Sequence, residues 1–469
     1  MAIASARHTH PKPPIGGLKC IVCRAIDLVV ADEALTCDVC GQEYPMLGGV
    51  PVMFDNVSIK QGNAVDVVTA RQLLAAFNLS DDPVSLLRIR SMMRKQVRFG
   101  GSLIQVESQQ FLHRVRSSGH EVGSDPERDN SIPFARNLTA VPAYRWTKSY
   151  MPRRMKAGHT ILANMRLENC GQVPLHRSGE GRVTVAARWQ HRDGTIAEAP
   201  DERTPLPIDL QPGQALTVAV RIIPPSRPGS YSLNLTLVQE QIRWLDAGAH
   251  AMTVSVMLEV PHPVPAGWVL LPDAPASYDA DHDKGCAMLL DWLRRHAPAR
   301  PRVLEVGGNA VPMLSRLGTS FGSDLINVDV DLLGLQVGRM LAREHGTSVH
   351  HLCADAFDLP FASGYFDAIV VFASLHHFAD PAALLASLRR KLRPGGFIGL
   401  FCEPVGHVWP GAVTPSFLEE LERGINEQSF SLQEYALMFR HAELTPAEVL
   451  VDLNSLKARL IHEPADGAG

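Results

Sequence analysis

The pattern of hydrophobic and polar positions changes twice along the chain. Between residues 145 and 262, apolar side chains recur at every second position in runs such as HTILANMRLEN, RVTVAARWQ and SYSLNLTLVQE. This period of two predicts β-strands with one buried face. Turn sequences such as HRDG and QPGQ separate the runs without an intervening helical pattern, so we expect a β-sandwich over residues 145–262.

Beyond the proline-rich segment 261–277, strand and helix patterns alternate. RVLEVGG, LINVDVD and YFDAIVVFASL are typical of buried strands, and LLGLQVGRMLAREHG between two of them has helical spacing. Such alternation predicts a parallel sheet wrapped by helices, which is an α/β doubly wound, Rossmann-like domain over residues 270–462.

A different pattern occupies residues 57–140. AVDVVTARQLLAAF and PVSLLRIRSMMRKQVRF carry apolar residues at helical spacing, which predicts a helical linker region. Its basic run from Arg88 to Arg98 is typical of a solvated helix face, with docking to an acidic partner as the alternative.

Four of the eight cysteines lie close together near the start of the chain. Cys20 with Cys23, and Cys37 with Cys40, form two C-x-x-C pairs. Two such turns can direct four thiolates at one point, which predicts a closed structural zinc site without a catalytic water. We therefore expect a zinc ribbon over residues 18–56 whose metal supplies folding energy. The alternatives are unrelated thiols or a redox pair.

Composition narrows the classes of function. The 469 residues are 45% hydrophobic and 20% charged, as in soluble globular proteins of several domains. The net charge of −4 provides no global basic field, so nucleic-acid binding is not expected. The N-terminus lacks the apolar core of a signal peptide, and no apolar run approaches the ~20 residues of a membrane span. These features favour a cytoplasmic protein without a membrane span.

The glycine turn in RVLEVGGNAVP selects among nucleotide-type cofactors. Dinucleotide-binding turns require G-x-G-x-x-G and P-loops require G-K-[ST], and neither sequence is present. Gly307 and Gly308 follow a strand, where the backbone can approach a ligand closely. Asn309 stands at the usual second glycine of a G-x-G turn, and asparagine tolerates left-handed dihedrals best among the other residues.

Together with CADAFDLPF and LRPGGFIGLF, this turn resembles the class I S-adenosylmethionine-dependent methyltransferases, of the methyltransferase type 11 kind, over about residues 270–405. The resemblance implies that Asp329 accepts the ribose hydroxyls of the cofactor, with Asp331 as the alternative, and that Asp355 accepts from the adenine amino group. The cofactor-binding residues that it implies are Glu305, Gly307, Gly308, Asn309, Asp329, Asp331, Asp355, Ala356 and Phe372.

An oxygen acceptor benefits from a general base beside its hydroxyl. The candidates that follow the fourth and fifth strands are His376, His377, Glu403 and His407. For each histidine, packing or contact with the cofactor is the alternative. The segment 422–444 resembles the late part of sugar- and lipid-directed methyltransferases, in which Asn426 and Glu427 are further contact candidates.

Two more resemblances bear on the acceptor. The cysteine segment ends in YP…GVPVM, as do zinc ribbons that partner methyltransferases, and residues 145–262 resemble immunoglobulin-like domains beside bacterial glycan-modifying enzymes. Trp189, Tyr231 and Trp244 are candidates for a sugar-stacking surface, with core packing as the alternative.

We therefore predict an enzyme that O-methylates a bacterial glycan or sugar intermediate and whose ribbon offers a surface to a protein partner. A methyltransferase of small natural products and a non-catalytic cofactor-binding scaffold are the alternatives.

Overall fold

A computed structural model describes residues 15–26, 28–31, 34–53, 87, 91, 138–149, 151–206, 209–261, 263–273, 275–320, 324–406 and 427–462. The predicted helical linker over 57–140 lies almost entirely outside these residues. The base candidate His407 and the contact candidate Asn426 also lie outside them.

The described elements begin with short strands and end with an alternating α/β region. The strands are β1 (Leu28–Ala31), β2 (Ala34–Cys37), β3 (Glu43–Leu47), β4 (Val50–Met53), β5 (Tyr144–Ser149), β6 (Arg154–Lys156), β7 (Ile161–Asn169), β8 (Val183–Gln190), β9 (Arg203–Pro205), β10 (Ala215–Ile222), β11 (Gly229–Gln239), β12 (Arg243–Met257), β13 (Val269–Leu271), β14 (Arg302–Val306), β15 (Asp324–Asp329), β16 (Val349–Ala354), β17 (Phe366–Phe372), β18 (Leu392–Pro404), β19 (Thr445–Asp452) and β20 (Ser455–Ile461). The α-helices are α1 (Tyr278–His296), α2 (Leu332–Glu344), α3 (Pro381–Arg389) and α4 (Leu432–His441). None of these helices is both long and apolar enough to cross a lipid bilayer.

The C-terminal region is built on one large sheet. Its strand order is β1-β2-β3-β4-β16-β15-β14-β17-β18-β20-β19-β13. Strands β14 to β18 run parallel, whereas β20 is antiparallel to both β18 and β19. Because β14 pairs with both β15 and β17, the chain order reverses there, and a doubly wound sheet binds ligands at such a switch point. This order confirms the predicted Rossmann-like fold.

Burial explains why the central strands read as continuous apolar runs. Every residue of β17 is buried, and only the first residue of β14 is exposed. Separate apolar clusters cover the two faces of the sheet, one of them containing Trp292 of α1 and the other Leu384 of α3. Strands buried on both faces lose the alternation of half-exposed strands.

Residues 144–257, called the two-sheet domain below, contain the strands with a period of two. One sheet has the order β10-β7-β5 and the other β6-β12-β11-β8-β9. Their inner faces share one apolar cluster, which includes Trp189 and Tyr231 at 2% and 5% exposure. The centroids of these two rings lie 6.2 Å apart in an edge-to-face arrangement. Both rings are therefore part of the core, and the sugar-stacking alternative is wrong for Trp189 and Tyr231.

The cysteine segment, residues 15–53, is joined to the large sheet rather than standing apart. Strand β4 pairs in parallel with β16, with Val52 opposite Cys353 and Met53 opposite Ala354. Apolar residues from both parts lie in one core, among them Ile15, Leu18, Leu35, Tyr44, Leu352 and Phe361. Packing against the C-terminal domain therefore supplies folding energy to this unit in addition to the metal that its sequence predicts.

Candidate functional site

The glycine turn after β14 needs each of its residues for a different physical reason. Gly307 has a φ of +81°, and a Cβ there would lie 2.8 Å from Ser374 Oγ. A Cβ on Gly308 would lie 2.6 Å from Asn327 Oδ1, closer than van der Waals contact allows. Asn309 adopts a φ of +43°, the left-handed conformation that its residue type tolerates.

Asp329 ends β15 directly across from this turn. Its carboxylate accepts from the backbone N–H of Asn309 at 3.1 Å and from that of Asp331 at 2.9 Å. These two bonds use one oxygen each and set the orientation of the carboxylate. The structure thus places Asp329 at the carboxyl end of its strand, where the sequence expects the group that holds the ribose.

Asp331 takes a different position from Asp329. It is the N-cap of α2, where one oxygen accepts from the N–H of Gly334 at 3.0 Å. Its other oxygen accepts from the side-chain amide of Asn309 at 3.0 Å. Asp331 therefore ties the glycine turn to the start of α2, and its role as the alternative ribose ligand stays a prediction.

The turn, Asp329 and the predicted adenine residues meet at one cavity. Asp355 is 2% exposed and accepts from the N–H of Phe357 at 3.0 Å, which starts the short 3₁₀ helix Ala356–Asp358. The cavity is lined by Val306, Gly307, Val328, Asp329, Val330, Ala354, Asp355, Ala356 and Phe378. It lies at the carboxyl ends of β14, β15 and β16, beside the switch point.

Two predicted cofactor residues have other tasks. Glu305 is 2% exposed and accepts from the N–H groups of Met313 at 2.8 Å and Leu314 at 2.8 Å, which anchors the far end of the glycine turn. Burial raises the pKa of Glu305 to about 7. Phe372 stacks on Phe401 at 5.8 Å in the core beneath α1 and is not among the residues that line the cavity.

Glu403, predicted as a base, is completely buried. Its carboxylate accepts from the N–H groups of Ser374, Leu375 and His376 at 3.0, 2.9 and 3.1 Å. It also lies 2.9 Å from His376 Nδ1. Since these groups occupy the carboxylate, the prediction of Glu403 as a base is corrected: it holds the histidine turn, residues 374–378, in place.

His376 and His377 lie side by side, with ring centroids 4.1 Å apart. His376 Nε2 is 3.3 Å from Glu427 Oε2, and His377 Nδ1 is 3.5 Å from Glu427 Oε1. Although burial opposes it, the carboxylates of Glu427 and Glu403 raise the pKa of His376 to about 10. The base roles of His376 and His377 stay predictions, and the His377 side chain is the more exposed of the two, at 27% against 9%.

Two further side chains, Gln428 and Ser374, support the histidine turn and are not among the residues predicted from the sequence. Gln428 is 1% exposed and donates to the carbonyls of His376 at 2.9 Å and Phe378 at 2.7 Å. Ser374 donates from Oγ to the carbonyl of Val306 at 3.0 Å, which connects the histidine turn to the glycine turn. Next to Gln428 in sequence, Glu427 is one of the contact candidates that segment 422–444 suggests.

The four cysteine thiols converge as their spacing predicts. Cys20 Sγ and Cys40 Sγ are 3.6 Å apart, and Cys23 Sγ and Cys37 Sγ are 3.5 Å apart. Sulfurs bound to one zinc ion at about 2.3 Å in a tetrahedron lie about 3.8 Å apart, whereas a disulfide requires about 2 Å. All four sulfurs lie within 4.8 Å of one another, so the donor set fits a tetrahedral zinc ion.

Comparisons with known proteins bear on the C-terminal domain. Residues 304–400 match the family model Methyltransf_11, described as "Methyltransferase domain". A ubiquinone/menaquinone biosynthesis C-methyltransferase of Vibrio campbellii is 36% identical over 104 residues, which are 21% of this chain and 40% of that protein. A ubiquinone biosynthesis O-methyltransferase of Aromatoleum aromaticum is 35% identical over 111 residues, 23% of this chain and 46% of that protein.

Among solved structures, the YcgJ protein of Bacillus subtilis is similar with a TM-score of 0.30 and 23% identity, covering 35% of this chain and 69% of that one. The chain spans less than half the length of the two curated relatives. The family match identifies residues 304–400 as a methyltransferase domain.

Proposed function

We propose that this protein transfers a methyl group from S-adenosylmethionine to an oxygen of a bacterial glycan or sugar intermediate. The observation that carries the transferase part is the cavity where Gly307, Asp329 and Asp355 meet at the switch point of the sheet. The family match over residues 304–400 supports the same conclusion.

The residues around the cavity have the properties that this cofactor needs. When bound, S-adenosylmethionine supplies a methyl group that its sulfonium has already activated, so the protein mainly provides orientation. Asp329 would accept from the ribose hydroxyls, since two backbone N–H groups already fix its carboxylate. Asp355 with Ala356 would hold the adenine, and Gly307 with Gly308 would let the backbone approach the methionine portion.

The glycan part of the proposal is supported by where the two-sheet domain attaches. Asn164 donates to the carbonyl of Ser429 at 3.0 Å, and Thr217 donates to the carbonyl of Ala379 at 2.9 Å. These bonds fix the domain beside the segment that supports the histidine turn. A carbohydrate held on the β7 and β10 face of this domain would thus lie close to the histidine turn. Of the aromatic candidates, only Trp244 is exposed, at 40%, with the Arg188 guanidinium 4.3 Å from its ring.

The accessory parts belong to the same proposal. Cys20, Cys23, Cys37 and Cys40 would hold a structural zinc ion as a ribbon over residues 18–56. Residues 145–262 would form an immunoglobulin-like β-sandwich, and residues 270–462 the complete catalytic domain. Because the ribbon packs on the chain's own domain, for example through Arg24 and Asp358 at 2.9 Å, a partner would meet only its remaining surface.

A small aromatic acceptor is the second candidate. The two curated relatives are named for ubiquinone biosynthesis, in which one is a C-methyltransferase and the other an O-methyltransferase. Mass spectrometry of a strain that lacks the gene separates the candidates. Loss of one methyl group from the glycan fraction supports the first, and loss from a quinone or other small aromatic fraction supports the second. A strain with both fractions unchanged would contradict both.

The ribose assignment is tested by Asp329→Ala. Loss of two hydrogen bonds to a carboxylate should weaken cofactor binding in calorimetry by at least about 100-fold. Asp324→Ala is the matched control, because Asp324 begins the same strand at its exposed, opposite end. Circular dichroism should show both variants folded. If Asp329→Ala binds the cofactor as tightly as the control does, the assignment of this carboxylate is refuted.

A further inference from the structure

Three side chains of residue types that can bind metal lie close together near the cavity, and none of them is among the residues that line it. One ligand atom from each of His376, His377 and Glu427 lies within 4.8 Å of the others. His376 Nε2 and His377 Nδ1 approach the two different oxygens of Glu427, at 3.3 and 3.5 Å. The three groups thus face a common point.

The separations of 3.3 and 3.5 Å are close to those expected for ligands of one shared ion. Two ligand atoms that are each about 2.1 Å from one ion, at octahedral or tetrahedral angles, lie about 3.0–3.4 Å apart. A strong N–H···O hydrogen bond joins atoms about 2.7–3.2 Å apart. The opposite side of the His376 ring has such a bond, 2.9 Å from Nδ1 to Glu403 Oε2. The same imidazole therefore has a short contact with Glu403 on one side and a longer contact of 3.3 Å with Glu427 on the other.

The surroundings also match those of metal-bound histidines. Such histidines usually donate their second ring N–H to a carboxylate, which fixes the tautomer and the ring orientation. Glu403 is such a carboxylate for His376. Three backbone N–H groups of the histidine turn donate to Glu403 and fix its carboxylate in place. Gln428 adds bonds to the carbonyls of His376 and Phe378, so that the ligands are held before an ion arrives.

We propose that His376, His377 and Glu427 form a binding site for a divalent transition-metal ion such as zinc or ferrous iron, with Glu403 as its outer carboxylate. Two histidines and one carboxylate are a frequent ligand set for these ions and leave coordination positions open.

The position of the site connects it to methyl transfer. Ser374 of the histidine turn bonds to Val306 before the glycine turn, and Phe378 lines the cofactor cavity. The ion would lower the pKa of an acceptor hydroxyl bound at an open position, so that a water molecule could accept the proton on its way to solvent. Binding of the ion itself does not depend on the proposed function.

The wild-type chain provides the decisive measurement. Full-length protein, stripped of metal by a chelator, is titrated with Co²⁺ and followed by absorption spectroscopy. Thiolate ligands give Co²⁺ an intense sulfur-to-metal charge-transfer band, whereas a nitrogen and oxygen site gives only weaker ligand-field bands. We expect ligand-field bands from a site without thiolate ligands, in addition to any charge-transfer bands from the cysteine site. If wild-type protein binds Co²⁺ only with sulfur character, or binds none, the proposal is overturned.

Variants then test whether His377 and Glu427 bind the ion that gives the sulfur-free bands. Glu427→Gln and His377→Ala should each lose the sulfur-free bands and about one equivalent of Zn²⁺ by elemental analysis, as expected for three protein ligands. His345→Ala is the control, because His345 is exposed at the end of α2 and should retain the full metal content. Circular dichroism checks that the variants are folded. Sulfur-free bands that persist unchanged in both variants would overturn the assignment to these ligands.

Discussion

At the scale of single residues, the incomplete glycine motif is explained by what the turn requires. A left-handed backbone is needed at Gly307 and again at Asn309, and open space is needed at Gly308. Asparagine satisfies the second backbone requirement, and its amide also bonds to Asp331 at the start of α2. Asn309 therefore makes a contact that a glycine at this position would lack, and the turn forms without the second glycine of G-x-G.

Gly308→Ala tests the requirement for space. Its Cβ would meet Asn327 Oδ1 at 2.6 Å and Glu305 Oε1 at 2.9 Å, both on buried residues. Overpacking of this kind destabilises a protein by about 1–3 kcal/mol, which urea unfolding measures. Gly16→Ala is the control, because its Cβ would meet only Tyr365 Oη at the ordinary distance of 3.4 Å. Equal stability of the two variants would contradict the steric account.

How far the sequence predicts the site depends on what each residue's position reveals. Asp329 and Asp355 follow strands of a parallel sheet, and strand ends meet at one edge, so their convergence is predictable. Glu305 and Glu403 also lie at strand ends, yet their carboxylates face backbone N–H groups of loops. Which donors satisfy a buried carboxylate is decided by tertiary packing, and a linear motif does not contain that information.

At the scale of elements, a buried ion network fixes α1 to the β19–β20 hairpin. Lys457 on β20 is completely buried, and its ammonium bonds to Asp281 on α1 and lies 2.8 Å from Asp452 Oδ2. Ser455 Oγ donates to the other oxygen of Asp281 at 2.6 Å. Lysine is usually exposed, so the alternating pattern of β20 does not reveal this contact.

Lys457→Met should destabilise the protein strongly, because it leaves the carboxylate of Asp281 buried without its cation, while Asp452 keeps only Lys284, at 2.7 Å. Breaking a buried ion pair from one side typically lowers the free energy of unfolding by about 3–5 kcal/mol. Arg316→Met is the control, since Arg316 and Asp283 form an exposed pair at 3.0 Å that contributes at most about 1 kcal/mol.

Urea unfolding of both variants measures the difference. Adding Asp281→Asn to Lys457→Met should restore part of the lost stability, because the buried charge without a cation is removed. If Lys457→Met is no less stable than Arg316→Met, the network does not hold α1 to the sheet.

At the scale of the whole molecule, the large sheet unites segments that are distant in sequence. The alternation of strands and helices predicts the parallel core and its switch point. It does not predict that β4 adds to the edge beside β16, because this pairing joins Val52 to Cys353 across the rest of the fold. Strand addition depends on an exposed edge and matching shape, which a periodic pattern does not specify. The cysteine segment thereby covers an edge strand of the methyltransferase domain.

Removal of the zinc ion proposed for the four cysteines should therefore destabilise the methyltransferase domain as well. Cys37→Ser, or chelation of the wild-type protein, should loosen β1 to β4 and expose the backbone of β16. We expect the unfolding midpoint of the methyltransferase domain to fall by at least about 4 °C, since about 1 kcal/mol corresponds to 2–4 °C in a domain of this size. Hydrogen exchange at Cys353 and Ala354 should accelerate together with exchange in the cysteine segment.

The control is Cys170→Ser, because Cys170 is exposed; this variant should alter neither the midpoint nor the exchange rates. Faster exchange confined to residues 15–53, with β16 still protected and the midpoint unchanged, would show that the shared sheet and core do not couple the two parts.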